Sequence, residues 1–279
     1  MKCFNVVQQV LDTTYAEIPG NEGTRDAAIR EALKKMSNQY RTGLLTSGGP
    51  DFSDPVTRFA YVYLYVPAHA HWLYELITWS SDVQGLFQRP RLRMTCLGGG
   101  PGSDLVGALK YIDERNASPT LFCEIVDGCV QWKQTWSDLA FTLDWSSPLH
   151  TDYVIHDAAD PSTWSAPCNI AKADLFTINF FASEIYHCGD NATDYIAHAF
   201  AKAKSGALVL MNDNNDSRFY DWFDAIAAAA NMETLLSDQG QRKIYDGGEQ
   251  SSAVGKYAEK FGMSSRLTGQ LAWRVLQKR

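Results

Sequence analysis

Along residues 1–90 the apolar positions recur at helical spacing, whereas beyond Arg91 they gather into short runs separated by amphipathic stretches. In the first region Ile29, Leu33, Met36 and Tyr40 follow at steps of four, three and four, which places them on one face of a helix. Thr24 is a candidate cap for that helix and Gly43 a candidate terminator. The stretch Thr46-Ser47-Gly48-Gly49-Pro50 reads as a loop. After it, Asp54 followed by Pro55 gives a second start signal, an acidic cap with proline at the first helical position. This second helix should break or restart near Pro67. No strand alternation occurs before residue 91.

Beyond that point residues 94–97, 121–126, 153–155, 175–181 and 207–211 read as buried strands. Helical faces lie between them: Leu105, Ala108, Leu109 and Ile112; then Trp132, Trp136 and Leu139; then Tyr195, Ile196, Ala199, Phe200 and Ala203. A further helix is expected over residues 217–231, and residues 270–276 read as a terminal strand. Short apolar runs alternating with helices predict an α/β fold, a Rossmann-like, mostly parallel sheet with helices on both faces. The chain therefore divides into a helical N-terminal segment, residues 1–90, and an α/β domain, residues 91–279.

Composition narrows the function. With 45% hydrophobic and 20% charged residues over 279 positions, the chain has ordinary globular content. A chain of this length buries roughly three quarters of its unfolded surface and needs no metal or disulfide to hold a core. Lys+Arg 25 against Asp+Glu 32 leaves a net charge of −7, which disfavours a nucleic-acid partner. The six cysteines are scattered with no CxxC pair, so no metal site is expected. The opening Met1-Lys2-Cys3-Phe4-Asn5-Val6 lacks the apolar core of a signal peptide, and a cytoplasmic, reduced location is expected. Residues 59–77 have nearly the length of a membrane span, but they contain Pro67, His69, His71, Glu75 and four tyrosines. They read as helix buried in protein, and no membrane association is expected.

Candidate chemistry concentrates at strand ends. Leu97-Gly98-Gly99-Gly100-Pro101-Gly102 carries the first strand into a helix. Its glycines let backbone approach a ligand, and the helix start offers free N–H groups. Asp127, ending the second strand and followed by Gly128, can accept both hydroxyl hydrogens of a ribose or can cap the next helix. Glu124, inside the strand, is the weaker choice for that role. In His156-Asp157-Ala158-Ala159-Asp160, Asp157 stands where a side chain could meet an adenine edge, or simply in a polar loop. Asn179-Phe180-Phe181-Ala182-Ser183-Glu184 closes the fourth strand, so all four strand ends share one sheet edge.

This ordered set resembles the class I S-adenosylmethionine-dependent methyltransferases, over roughly residues 91–279. The resemblance rests on the glycine motif, Asp127, His156-Asp157-Ala158, residues 174–181 and 206–211, and the terminal Trp273-Arg274-Val275-Leu276. It implies a seven-stranded sheet whose last strand is antiparallel. It also implies an S-adenosyl-L-methionine site formed by Leu97, Gly98, Gly99, Gly100, Gly102, Asp127, Gly128, Asp157, Ala158, Asn179 and Phe180. Asn179-Phe180-Phe181-Ala182 lacks both prolines of the family's nitrogen-methylating motif and licenses no nitrogen target.

Methyl transfer from a sulfonium proceeds by in-line displacement, driven mainly by positioning. A hydroxyl acceptor would also need a base. The candidates are Glu184, His187, His69 and His71, with Asp213 behind them; Glu184 and Tyr65 are the residues selected as catalytic. Arg58, Tyr61 and Tyr65 share a helix face that either packs as core or lids the site and lines the acceptor. A small-molecule or protein acceptor is expected. Two other readings stay open: an NAD(P)-dependent oxidoreductase, since Gly98-x-Gly100-x-x-Ser103 partly fits the dinucleotide fingerprint, and a non-catalytic protein retaining the fold.

Overall fold

A computed structural model describes residues 2–42, 50–142 and 148–279. The predicted helix end at Gly43 and loop residues Thr46, Ser47, Gly48 and Gly49 lie outside these described residues. Among the described residues five helices come first: α1 (Cys3–Glu17), α2 (Glu22–Thr42), α3 (Pro55–Leu64), α4 (Val66–Trp79) and α5 (Ser81–Phe87). Asn21, rather than Thr24, caps α2: its Oδ1 accepts the Thr24 N–H at 3.0 Å. An oxygen three residues upstream reaches the orphan amide, which Thr24 inside the first turn cannot do. Asp54 caps α3 as expected, accepting from the Val56 and Thr57 amides. The helix restarts at Tyr65, two residues before Pro67, because a proline inside the turn removes a donor and crowds the preceding carbonyl. Residues 59–77 are thus two buried helices, and among the described residues no helix is long and apolar enough to cross a membrane.

The sheet follows: β1 (Arg91–Leu97), α6 (Ser103–Glu114), β2 (Thr120–Asp127), α7 (Trp132–Thr142), β3 (Leu149–Ile155), β4 (Leu175–Asn179) and α8 (Ala182–Ile185). Then come α9 (Asp190–Lys202), β5 (Leu208–Asn214), α10 (Ser217–Ala229), β6 (Met232–Lys243), α11 (Glu249–Phe261) and β7 (Thr268–Lys278). Strand order is β3-β2-β1-β4-β5-β7-β6, and β7 runs antiparallel to both of its neighbours. This is the seven-stranded sheet that the resemblance implied. It departs from the dinucleotide fold, which continues 3-2-1-4-5-6 with parallel strands. Strand order reverses across β1, so the ends of β1 and β4 open a crevice at the topological switch point.

Two elements escaped the pattern of hydrophobic positions. β6 is an edge strand whose second half, Ser237 to Lys243, faces solvent, so pairing with β7 rather than burial holds it. α11 buries Ala253, Val254, Tyr257 and Phe261 against the N-terminal helices. β4 ends at Asn179, earlier than expected, because Phe180 takes a left-handed φ of 58° and turns the chain.

Residues 2–42 and 50–90 share one apolar core with β1, β2, α6 and α11. Tyr63 is fully buried and donates to the Met263 carbonyl at 2.7 Å, so its ring packs without stranding the hydroxyl. α4 crosses α6 at close range. A Cβ built on Gly107 would stand 2.4 Å from the Ala70 carbonyl oxygen, so only glycine lets these helices approach this closely. That crossing fixes the helix whose first turn follows the glycine motif.

Candidate functional site

The glycine motif packs tightly on three sides and faces open space on the fourth. Gly98 donates to the Val126 carbonyl at 2.8 Å and Gly102 to the Gly99 carbonyl at 2.8 Å, closing a compact turn onto α6. Gly102 adopts φ 92°, and a Cβ there would lie 2.5 Å from the Trp136 ring, so both backbone and packing demand glycine. Gly100 differs. A Cβ there would meet nothing closer than Trp132 Nε1 at 3.6 Å and Asp127 Oδ2 at 3.8 Å, along the wall of a cavity of about 240 Å³.

Asp127 holds the other side of this corner. Its Oδ2 accepts the Gly100 N–H at 2.9 Å and its Oδ1 the Cys129 N–H at 2.8 Å. A carboxylate has about four lone-pair sites, so each oxygen keeps one for a ligand hydroxyl. Burial pushes its pKa up to about 6 against those two amide hydrogen bonds, with Asp157 adding repulsion. Gly128 abuts Asp157, whose Oδ1 accepts the Ala159 N–H and shapes the loop bearing Ala158. His156, almost fully buried, binds the Ala166 carbonyl through Nε2 at 3.1 Å, while its Nδ1 has no hydrogen-bond partner among the described residues.

Opposite this corner stands Glu184, on the short α8 that the Phe180 turn projects over the strand ends. The Tyr40 hydroxyl, from the end of α2, donates to its Oε1 at 2.5 Å. Desolvation raises the Glu184 pKa to about 8 despite that bond, and Asp127 and Asp213 add repulsion. The aromatic wall beside it joins Phe52, Tyr61 and Trp132: ring centroids lie 4.9 Å apart for Phe52 and Trp132, 5.1 Å for Phe52 and Tyr61, and 5.5 Å for Tyr61 and Trp132.

Of the residues singled out in the sequence, Gly98, Gly100, Asp127, Gly128, Asp157, Ala158, Glu184, His187 and Tyr61 line this cavity. Pro101, His156, Ala159 and Phe181 line it too, and the other predicted site residues lie behind or away from it. Leu97 is core, and Gly99 and Gly102 sit against Cys96, Ile125 and Trp136. Asn179 is buried in a polar network, donating to Asp104 Oδ1 at 2.9 Å and accepting from Asn212 at 2.9 Å. Phe180 is swung out by its positive φ and stacks on His69, centroids 4.0 Å apart. Burial drives the His69 pKa down to about 3 and keeps it neutral. Tyr65 packs on the Tyr40 ring at 4.7 Å, and among the described residues its buried hydroxyl makes no hydrogen bond of good geometry, with Arg266 a nearby donor. His71 pairs with Glu75 at 3.5 Å in a separate hollow, and Asp213 holds the Ser183 and Asn214 amides. Glu124 is occupied by the Asn169 backbone and side chain.

Sequence reasoning missed Phe52, and it took Tyr40 and Trp132 for helix core only. Nothing local marks Phe52, which reaches the cavity because the Asp54 cap fixes the turn before α3. Among the described residues no group of three or more His, Cys, Asp or Glu side chains could hold a metal.

No family model and no curated protein matches the chain. Solved structures similar to it include a Methanosarcina mazei S-adenosylmethionine-dependent methyltransferase, at 8% identity over 71% of this chain and 97% of that one, TM-score 0.47. A Clostridium acetobutylicum S-adenosylmethionine-dependent methyltransferase aligns at 8% identity over 75% and 92%, TM-score 0.44. A Pyrococcus horikoshii protein provisionally assigned as an RNA methyltransferase aligns at 12% identity over 77% and 87%, TM-score 0.47.

Proposed function

We propose that the chain is a methyltransferase that binds S-adenosyl-L-methionine at the Gly98–Asp127 corner and methylates a small molecule or a protein side chain. The observation that carries this reading is the pairing of Gly100, whose missing side chain leaves open cavity, with Asp127, whose oxygens retain free lone pairs beside it. The donor set suits an adenosyl group: Asp127 for the ribose hydroxyls, and the Gly128–Ala158 loop for the flat base. When bound, the cofactor would supply a methyl carbon already activated by its sulfonium, which asks the protein mainly for positioning and exclusion of water.

This chain's residues can meet both demands. Phe52, Tyr61 and Trp132 wall off solvent, and the Tyr40–Glu184 pair places a carboxyl facing the same space. Glu184 serves as the proton acceptor of the reaction, and Tyr65 acts through the Tyr40 ring as a positioning residue. The antiparallel β7 counts against a dinucleotide fold and so against hydride transfer. Six cysteines without a disulfide suit a reducing cytoplasm.

Calorimetric titration tests the reading directly. S-adenosylmethionine should bind saturably and raise the melting temperature, while NAD(P) should do neither. Binding of NAD(P) alone, or of neither ligand, overturns the proposal.

A further inference from the structure

The fixed charges lining this cavity are acidic; the two histidines beside them are His156, whose pKa burial lowers, and the exposed His187. Among the described residues its wall carries the carboxyls of Asp127, Asp157 and Glu184 and no lysine or arginine. The charged groups acting on Glu184 are Asp127 and Asp213, both acidic, and its hydrogen-bond donor Tyr40 is neutral. The nearby guanidinium of Arg58 is engaged at 2.8 Å by the Phe52 and Ser53 carbonyls. That of Arg266 lies over the Tyr65 ring, with Ser37 at 3.3 Å.

The second attractor is the aromatic wall. Phe52 and Tyr61 line the same space as Glu184, and ring faces within about 6 Å of a cation attract it, more strongly once water is excluded. A carboxyl and aromatic faces are two independent devices, and both select positive charge. Among the described lining residues an anionic acceptor would find no lysine or arginine, and only the exposed His187 as a side-chain counter-ion.

Resting on the methyl-transfer reading, we propose that the acceptor is an organic amine, held as a cation between the Glu184 carboxyl and the Phe52 and Tyr61 rings and methylated on nitrogen. The amine nitrogen gives up one proton to Glu184 and is then neutral, with a free lone pair. That lone pair forms the new N–C bond as the donor's C–S bond breaks, its electrons staying on sulfur. Charge is thereby passed from sulfur to nitrogen.

One carbon skeleton with three end groups isolates charge as the variable: phenethylamine, phenethyl alcohol and 3-phenylpropanoate. Each is titrated calorimetrically at neutral pH into protein saturated with S-adenosylhomocysteine. The amine should bind about tenfold or more tightly than the alcohol, and the carboxylate should not bind measurably. Amine binding should also release close to one proton, read from the dependence of the heat on buffer ionisation, because Glu184 is held protonated in the free protein. Glu184→Gln should bring the amine down to about the alcohol's affinity while Glu184→Asp keeps a preference. The alcohol or the carboxylate equalling the amine, none of the three binding at millimolar concentration, or an undiminished preference in Glu184→Gln overturns the proposal. S-adenosylhomocysteine is titrated first. Its failure to bind overturns the cofactor reading instead, and the three-ligand series on the free protein still decides the charge selectivity of the cavity.

Discussion

The two walls of the cavity are built differently. The glycine corner is made by local chain: residues 98–102 turn directly from β1 into α6, and Asp127 meets them from the neighbouring strand. The acidic and aromatic wall is assembled from distant elements, and its central hydrogen bond joins residues 144 positions apart. The first wall owes its shape to what side chains are absent, the second to which are present. Small changes in the first should therefore be costly to the fold, whereas the second can vary at little cost in stability.

The largest effect among these substitutions is expected at a glycine of the turn that packs against a ring. Gly102→Ala drives a Cβ into the Trp136 ring at φ 92°, and should cost about 3 kcal/mol or more in urea unfolding. Gly100→Ala faces the cavity and should cost only about 1–2 kcal/mol, yet weaken S-adenosylmethionine at least about tenfold. Equal stability losses at the two positions would erase the distinction between packed and open sides of the turn.

Asp127→Asn should come next, weakening the cofactor by roughly ten- to a hundredfold in calorimetry, the worth of one or two hydrogen bonds to a charged acceptor. An unaltered dissociation constant would remove Asp127 from the site.

The pH dependence of stability separates the walls without any ligand. Burial raises Asp104, Asp127 and Asp213 to about 6 and Glu184 to about 8. Each binds a proton more tightly folded than unfolded, so its contribution to stability is full in acid and is lost as pH rises, opposed below about 6.5 by buried His69, whose pKa is driven down to about 3. The aspartates contribute that loss from their ordinary values near 4 up to about 6, and Glu184 extends it toward 8. In a melting series Glu184→Gln should abolish the fall above pH 6 and leave the fall below it. A wild-type melting temperature that rises from pH 6 to 8 would contradict this.

Tyr65→Phe should matter least. Among the described residues its buried hydroxyl makes no hydrogen bond of good geometry, so removing it should leave the melting temperature unchanged or raise it by the equivalent of up to about 1 kcal/mol. A marked loss of stability would mean the hydroxyl is satisfied after all.

How much was legible in the sequence follows the same division. Strand, turn and helix around Gly98–Gly102 are adjacent in the chain, so apolar periodicity and glycine spacing exposed them, and Asp127 followed from its place at a strand end. Glu184 was found because it also follows a strand end. Its partner Tyr40 was not, because at steps of four, three and four from Ile29 it is indistinguishable from core, and the helix face alone does not say which end meets a cavity. Phe180 misled for a backbone reason, since a positive φ at a non-glycine residue turned its ring away from the cavity and onto His69. β6 stayed hidden because hydrogen bonding to β7, rather than burial, makes it a strand.

The close approach of Ala70 to Gly107 has an implication for how this protein could be altered. A helix seated that near to another cannot be exchanged for a foreign one without matching its contour along the whole line of contact. On the proposed reading, acceptor preference could not be reassigned by grafting a new N-terminal segment as a detachable cassette. It would have to shift through point changes in Phe52, Tyr61 and their neighbours, with the α4–α6 seam left untouched.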